Sequence, residues 1–216
     1  MEPLLEPLIR SPKLPTYIRQ LENALAEEQR KRLHFYETVQ EGDKVEFING
    51  EVVMHSPVRL VHDTISGGLY RLLATFVETL DLGYVGHEKM MISLHRNDYE
   101  PDVCFWSKAK AASFQAQQLR FPAPDFVAEV LSESTEKIDR GVKREDYASN
   151  GITEYWIIDA EHESVEQYLL EADSYALAVK TGDGTLKSQA IPGFVIPARA
   201  LFDSAERQRT LRVLLG

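Results

Sequence analysis

Cysteine is almost absent: Cys104 is the single one in 216 residues. One thiol excludes an internal disulfide and a zinc site built on cysteines. Its place inside an apolar run reads as a buried structural thiol rather than a nucleophile. Long apolar runs are missing too. No stretch approaches the ~18 residues of a spanning helix, so no membrane segment is expected. No basic stretch followed by an apolar one opens the chain, so a secretory signal is not expected and the chain reads as cytoplasmic. Positive charge is also short: 24 Lys and Arg face 34 Asp and Glu, a net charge of -10. Such a chain is no general binder of nucleic acid, whose affinity comes largely from cations placed on phosphates. Repeats and low-complexity tracts are lacking as well.

What is present is enough apolar content, 44%, for one sizeable core. Residues 1–15 hold Pro3, Pro7, Pro12 and Pro15 and read as an extended N-terminal arm. The rest, 16–216, reads as a single domain. Ile18, Leu21, Leu25 and Leu33 fall at helical spacing, which predicts a helix packed on the core. Val45–Ile48 and Glu51–Met54 flank Asn49-Gly50, the signature of a hairpin with a type I′ turn. Ser56-Pro57 reads as a helix start. The stripe Val61, Ile65, Leu69, Leu72, Leu73, Phe76, Val77 and Leu80 follows it as a core helix. Gly67-Gly68 inside that helix costs roughly 1 kcal/mol per glycine against alanine, which a close approach by another backbone would explain. Strands are expected over 83–95, 99–106, 122–132 and 154–159. Residues 107–121 read as a polar crossover or short helix. A helix is expected from Asp139, as its cap, to Gly151. An antiparallel meander over 165–191 and two short helices complete the chain.

Asp102 and Glu129 are lone acids in otherwise apolar strands. An unpaired buried carboxylate is costly, so each is paired, protonated or bound to metal. If the strands are neighbours, the two can converge on one hard cation, Mg²⁺ or Mn²⁺. Such an ion polarises a phosphodiester oxygen and activates water, and a nearby lysine stabilises the charge that develops. The competing reading has Asp102 capping a turn and Glu129 pairing with Lys143 or an arginine. Asp125 reads as a strand-entry residue. His62 alone reads as a helix-terminus histidine, and Glu46 as a solvated strand position or an accessory acid. Between Val103 and Arg144 seven basic residues face five acids, which permits a small phosphate-binding patch.

Several motifs occur together in order: Glu46-Phe47-Ile48-Asn49-Gly50-Glu51, His62, Tyr99-Glu100-Pro101-Asp102, Ala123 to Ser132 around Glu129, Lys143, Tyr147, and Gly151 to Asp159. As a set, over roughly residues 35–202, they resemble the PD-(D/E)xK nuclease superfamily, and more closely its Uma-two family of restriction endonucleases. The resemblance implies an α/β fold with a restriction-endonuclease-like core: a mixed central sheet flanked by helices, here with the antiparallel C-terminal meander added. It implies Mg²⁺-dependent cleavage of DNA, with RNA not excluded. Asp102 and Glu129 would hold the metal, with a backbone carbonyl near Val130 as third ligand. Glu46 and His62 would be accessory members; from the basic window, not the resemblance, Lys137, Arg140 and Arg144 are candidates for phosphate contact. The superfamily's lysine normally sits two residues after the glutamate, where this chain has Leu131. Lys143, spaced by four from Asp139 and Tyr147 on one helix face, is then the candidate lysine, with Lys137 behind it. A homodimer is expected, since it would place two sites on the two strands of a duplex. The alternative is a nuclease-fold protein that binds without turnover.

Overall fold

The computed structural model describes residues 5–40 and 42–215. By packing, the chain divides into a unit that ends at His55 and a unit that begins at Ser56. That boundary falls inside the stretch read from sequence as one domain. Among the described residues no helix is long and apolar enough to cross a membrane.

The first unit contains α1 (Leu5–Ile9), α2 (Leu14–Thr38), β1 (Val45–Ile48) and β2 (Glu51–Met54). The expected extended arm is therefore helical over 5–9 and from Leu14 on, with a turn at 10–13 between. Pro7 and Pro15 sit in first turns, where the missing N–H is no loss. Asn49 and Gly50 turn the hairpin with φ of 50° and 82°, as a type I′ turn requires. Glu28 of α2 lies against Gly50, Lys31 pairs with Glu51 at 3.0 Å, and Phe35 stacks on Phe47 at 5.7 Å. The core helix expected from Ile18, Leu21, Leu25 and Leu33 is a correction: all four are exposed, and Phe35 is the buried residue of α2.

The second unit opens with α3 (Leu60–Thr79), which starts at Arg59 rather than at Ser56-Pro57 and has no side-chain cap. Its stripe from Ile65 to Val77 is buried, while Val61 and Leu80 at the ends are exposed. The strands are β3 (Gly83–His87), β4 (Met91–Ser93), β5 (Asp98–Tyr99), β6 (Val103–Ser107), β7 (Arg120–Phe121), β8 (Phe126–Val130), β9 (Glu154–Asp159), β10 (Ser164–Glu171), β11 (Ser174–Thr181), β12 (Thr185–Lys187) and β13 (Val195–Pro197). The short helices are α4 (Lys108–Ala111), α5 (Glu136–Ile138), α6 (Arg144–Ser149) and α7 (Arg199–Phe202), followed by α8 (Ser204–Leu214).

Six strands form one sheet in the order β11-β10-β9-β8-β6-β3. The β8–β9 pair is parallel and the other pairs are antiparallel, so the sheet is mixed. Val103, Phe105, Phe126, Ala128, Val130, Trp156 and Ile158 pack with the α3 stripe in one core. Strand alternation turns Cys104, Val127 and Glu129 to the opposite face. Cys104 is fully buried there, as a structural thiol would be. Two expected strands are shorter than read. Glu100-Pro101-Asp102 interrupts the 99–106 stretch, since Pro101 has no N–H to give a ladder. Residues 88–90 likewise split 83–95, with Glu88 and Lys89 both at positive φ. The meander is shorter too: β10 and β11 extend the main sheet, while β12 pairs with β13.

The close approach at Gly68 comes from a side chain, not a backbone. A Cβ there would lie 2.6 Å from the Arg207 guanidinium carbon. Arg207 is buried and held by the carbonyls of Ala200 (3.0 Å) and Leu201 (2.7 Å). The helix expected from Asp139 is not continuous. Asp139–Lys143 is a kinked connection between α5 and α6, where Gly141 departs from helical angles at φ -104°, ψ -105°. Asp139 thus lies inside the segment and is not its cap. Gly151 ends α6 at φ 74°, with Gly151 N–H bonding Ala148 O and Ile152 N–H bonding Tyr147 O in a Schellman arrangement.

Candidate metal centre

The antiparallel register of β6 and β8 pairs Val103 with Ala128. One step further along, Asp102 and Glu129 come face to face. The Asp102 amide donates to Glu129 Oε2 at 3.2 Å, and the Val130 amide donates to Asp102 Oδ2 at 2.8 Å. Two acids 27 residues apart are locked to each other through backbone amides. Val130 thus enters the cluster through its N–H.

Each carboxylate then meets a different set of groups. His62, in the first turn of α3, places Nε2 3.0 Å from Asp102 Oδ2. On the other acid, Lys143 Nζ lies 2.9 Å from Glu129 Oε1, and the Tyr147 hydroxyl donates to the same oxygen at 2.9 Å. Asp139 Oδ1 is 3.3 Å from Lys143 Nζ, and the ammonium also sits 5.7 Å from the centre of the Tyr99 ring. Asp139, Lys143 and Tyr147 do share one buried face, as their spacing predicts. The kink at Gly141 matters here, because Lys143 reaches Glu129 from just beyond it. Lys143 is only 3% exposed, whereas Lys137 is on the surface. The lysine that meets Glu129 is therefore Lys143. Burial, with Asp139 and Glu129 close by, pushes the Tyr155 phenol well above its usual range, so Tyr155 acts here as a neutral donor to the Asp139 carbonyl at 3.2 Å.

One residue escaped the sequence reading. Glu88 stands in the turn after β3, and its amide donates to the Asp102 carbonyl at 3.0 Å. One ligand atom each from His62, Glu88 and Asp102 lies within 4.8 Å of the others. The available signal was the polar triplet His87-Glu88-Lys89 between two apolar strand segments. The donor set fits a divalent cation: two carboxylates with a third, Glu129, beside them, and one imidazole. Oxygen donors suit Mg²⁺ or Mn²⁺, and the imidazole leans toward Mn²⁺.

Glu46 belongs to the first unit, buried on β1, with His55 Nε2 3.0 Å from its Oε2. Asp125 is structural: it accepts from the Ser107 amide at 2.7 Å and pairs with Lys110 at 2.8 Å. The locally basic window is largely neutralised. Lys108 pairs with Asp81, Lys110 with Asp125, Arg140 with Glu136 and Glu166, and Lys143 with Glu129. Arg144 lies 5.2 Å from the centre of the Tyr168 ring. Of the three residues expected to meet phosphate, Arg140 is thus committed to two internal carboxylates.

With the geometry in place, comparison with known proteins is informative. Residues 28–199 match a family model described as "Uma2: Putative restriction endonuclease", and the chain belongs to that family. No curated protein matches it. Among solved structures it is similar to one described as a "putative nuclease belonging to DUF820" from Anabaena variabilis ATCC 29413. The TM-score is 0.68 at 14% identity, over 78% of this chain and 94% of that one. At that identity the likeness establishes the shared fold.

Proposed function

We propose that this member of the Uma2 family is a divalent-metal-dependent endonuclease that hydrolyses DNA phosphodiester bonds. The observation that carries the reading is the convergence of Asp102, Glu129, Lys143 and His62, from four separate elements, on one end of β6 and β8. Asp102 would hold Mg²⁺ or Mn²⁺ together with Glu129, and His62 and Glu88 complete the donor set on the Asp102 side. A cation bound there supplies Lewis acidity toward a phosphate oxygen.

The chain's own residues do the rest. Val130 N–H and His62 fix the Asp102 carboxylate, so its lone pairs are oriented before any ligand arrives. Tyr147 and Lys143 hold Glu129 as the anion through charge-assisted hydrogen bonds. Lys143 brings a cation to a site where charge develops on phosphorus, and Asp139 keeps its ammonium aimed at Glu129. Duplex DNA is the substrate the reading favours, with cleavage in the cytoplasm.

One observation favours a second reading, a protein that binds without turnover. Asp102, Glu129 and Lys143 are each 5% exposed or less. Cleavage of plasmid and single-stranded DNA with Mg²⁺ or Mn²⁺ separates the two, with Glu129→Ala and Lys143→Ala alongside and folding checked by circular dichroism. Activity in the wild type and loss in both variants supports the nuclease. Activity that survives Lys143→Ala but not Glu129→Ala moves the role to Lys137. Folded wild-type protein that cleaves no nucleic acid leaves the binding reading.

A further inference from the structure

Every residue of α2 from Ile18 to Glu27 is exposed, nearly three helical turns with no covered face. The second half of the helix is anchored: Glu28 lies against Gly50, Lys31 pairs with Glu51 and Phe35 stacks on Phe47. The first half carries Leu14, Ile18, Leu21 and Leu25 at steps of four, three and four residues. That is the a/d spacing of a coiled-coil seam. Ile18, Leu21 and Leu25 are 46%, 59% and 52% exposed. A helical segment of this length is marginal in water without a partner, and an apolar stripe is what a partner would cover.

We propose that this stripe is the contact face between two copies of the chain, paired antiparallel. Setting Leu14 of one copy opposite Leu25 of the other also sets Ile18 opposite Leu21. All four apolar layers then pair, and a two-fold axis closes the assembly. The hairpin decides the direction. The next seam positions after Leu25 are Glu28 and Arg32, and Glu28 already lies against Gly50 of the hairpin. A parallel pair in register would bring the two hairpins onto each other at that seam position. The antiparallel overlap ends at Leu25 and leaves both outside. It covers twelve residues of each helix, about 18 Å. So short a contact falls below the ~800 Å² per partner of a standard stable interface, and the dimer is weak, with a dissociation constant on the order of micromolar. The proposal is independent of the nuclease reading, since no activity enters it.

Sedimentation velocity on the full chain tests it, from roughly 1 to 100 µM, the range expected for such an interface. The wild type passes from monomer to dimer, and Leu21→Lys/Leu25→Lys stays monomeric throughout. Both positions are exposed, so the double variant keeps its fold, which circular dichroism checks. A wild type that is monomeric throughout, or a double variant that dimerises like the wild type, overturns the proposal. Direction is read by oxidative cross-linking. Cys104 is fully buried and does not compete. A mixture of L14C and L25C forms a mixed disulfide, whereas L25C alone forms none, its two copies lying about 16 Å apart along the helix. Cross-linking of L25C to itself in place of the mixed pair establishes a parallel dimer and overturns the antiparallel assignment.

Discussion

Glu129 on β8 and Glu154 on β9 are both acids in neighbouring, otherwise apolar strands, and both are buried, at 3% and 0% exposure. Their surroundings differ in kind. Glu154 accepts from Trp156 Nε1 (2.6 Å), Gln167 Nε2 (2.7 Å), Ser188 Oγ (2.7 Å) and the amides of Gln189 (2.8 Å) and Ala190 (2.9 Å). Five neutral donors saturate it, and its task is to tie the 188–190 loop to the sheet. Glu129 instead meets an ammonium, a phenol and the amide of a residue that carries a second acid. A lone acid in an apolar strand is therefore no sign of a site. What separates the two is the convergence of a second carboxylate, an imidazole and a cation from distant elements.

The two acids should respond oppositely to removal. Glu154→Ala strands five donors, three of them in buried hydrogen bonds, and costs about 3–5 kcal/mol of stability. For a chain of this size that lowers Tm by about 10 °C or more in a thermal melt. Cleavage per folded molecule stays at the wild-type value below the melt. Glu129→Gln reverses the pattern. The amide oxygen still accepts from Lys143 and Tyr147, while its NH2 faces the Asp102 amide that Oε2 had accepted, so Tm falls by only a few degrees, less than for Glu154→Ala. The lost charge lowers cleavage by roughly 10²–10³-fold, about 3–4 kcal/mol of transition-state stabilisation. A Glu129→Gln protein that cleaves at full rate, or a Glu154→Ala protein that melts normally, would erase the distinction.

The buried cations sharpen the same contrast. Lys143 faces the carboxylates of Glu129 and Asp139, whereas Arg207 faces two carbonyls and the bare Cα of Gly68. Burial and the nearby Arg71 pull the Arg207 guanidinium below its ordinary range, a strain borne for packing. Gly68→Ala drives a methyl into that guanidinium, pinned at both carbonyls, and costs about 1–3 kcal/mol. The penalty belongs to one contact, so a double-mutant cycle isolates it: adding Gly68→Ala to Arg207→Ala costs almost nothing more in urea unfolding. Equal costs in both backgrounds would place the clash elsewhere.

These pairs also explain what the sequence could and could not reveal. Strands, hairpin and the α3 core were readable because periodicity and turn chemistry are local. Asp102, Glu129 and Lys143 were readable as a set through the family motifs, and their register makes them neighbours. Glu88 was not, because it joins the cluster from a turn whose left-handed φ of 45° leaves no periodic trace. The kink was hidden for a similar reason: Gly141 reads as one helical glycine, while its backbone angles break the helix. The exposed stripe of α2 was misread because period 3.6 says that a face is apolar and not what covers it. Arg140 was read as a candidate for phosphate on charge alone, and one of its two carboxylate partners lies 26 residues away on β10.

That partner, Glu166, supplies the smallest effect and the finest test of what a buried acid does. It accepts from Arg140 (2.7 Å), Lys180 (2.8 Å) and Tyr168 (2.7 Å). Burial opposes its charge, but those three hydrogen bonds and the cations prevail and bring its pKa down to about 2 from 4.5. A folded pKa below the unfolded one adds stability above the unfolded value, and that stability is lost as pH falls toward the folded one. With Lys180 open to solvent, screening limits the contribution to about 1–2 kcal/mol. Wild type should therefore exceed Glu166→Gln in stability by that amount at neutral pH, with the gap closing between about pH 5 and pH 2. Urea unfolding at a series of pH values reads the gap directly. A gap that stays constant through this window would mean that Glu166 holds β10 to β11 and the kinked 139–143 segment by shape, not by charge.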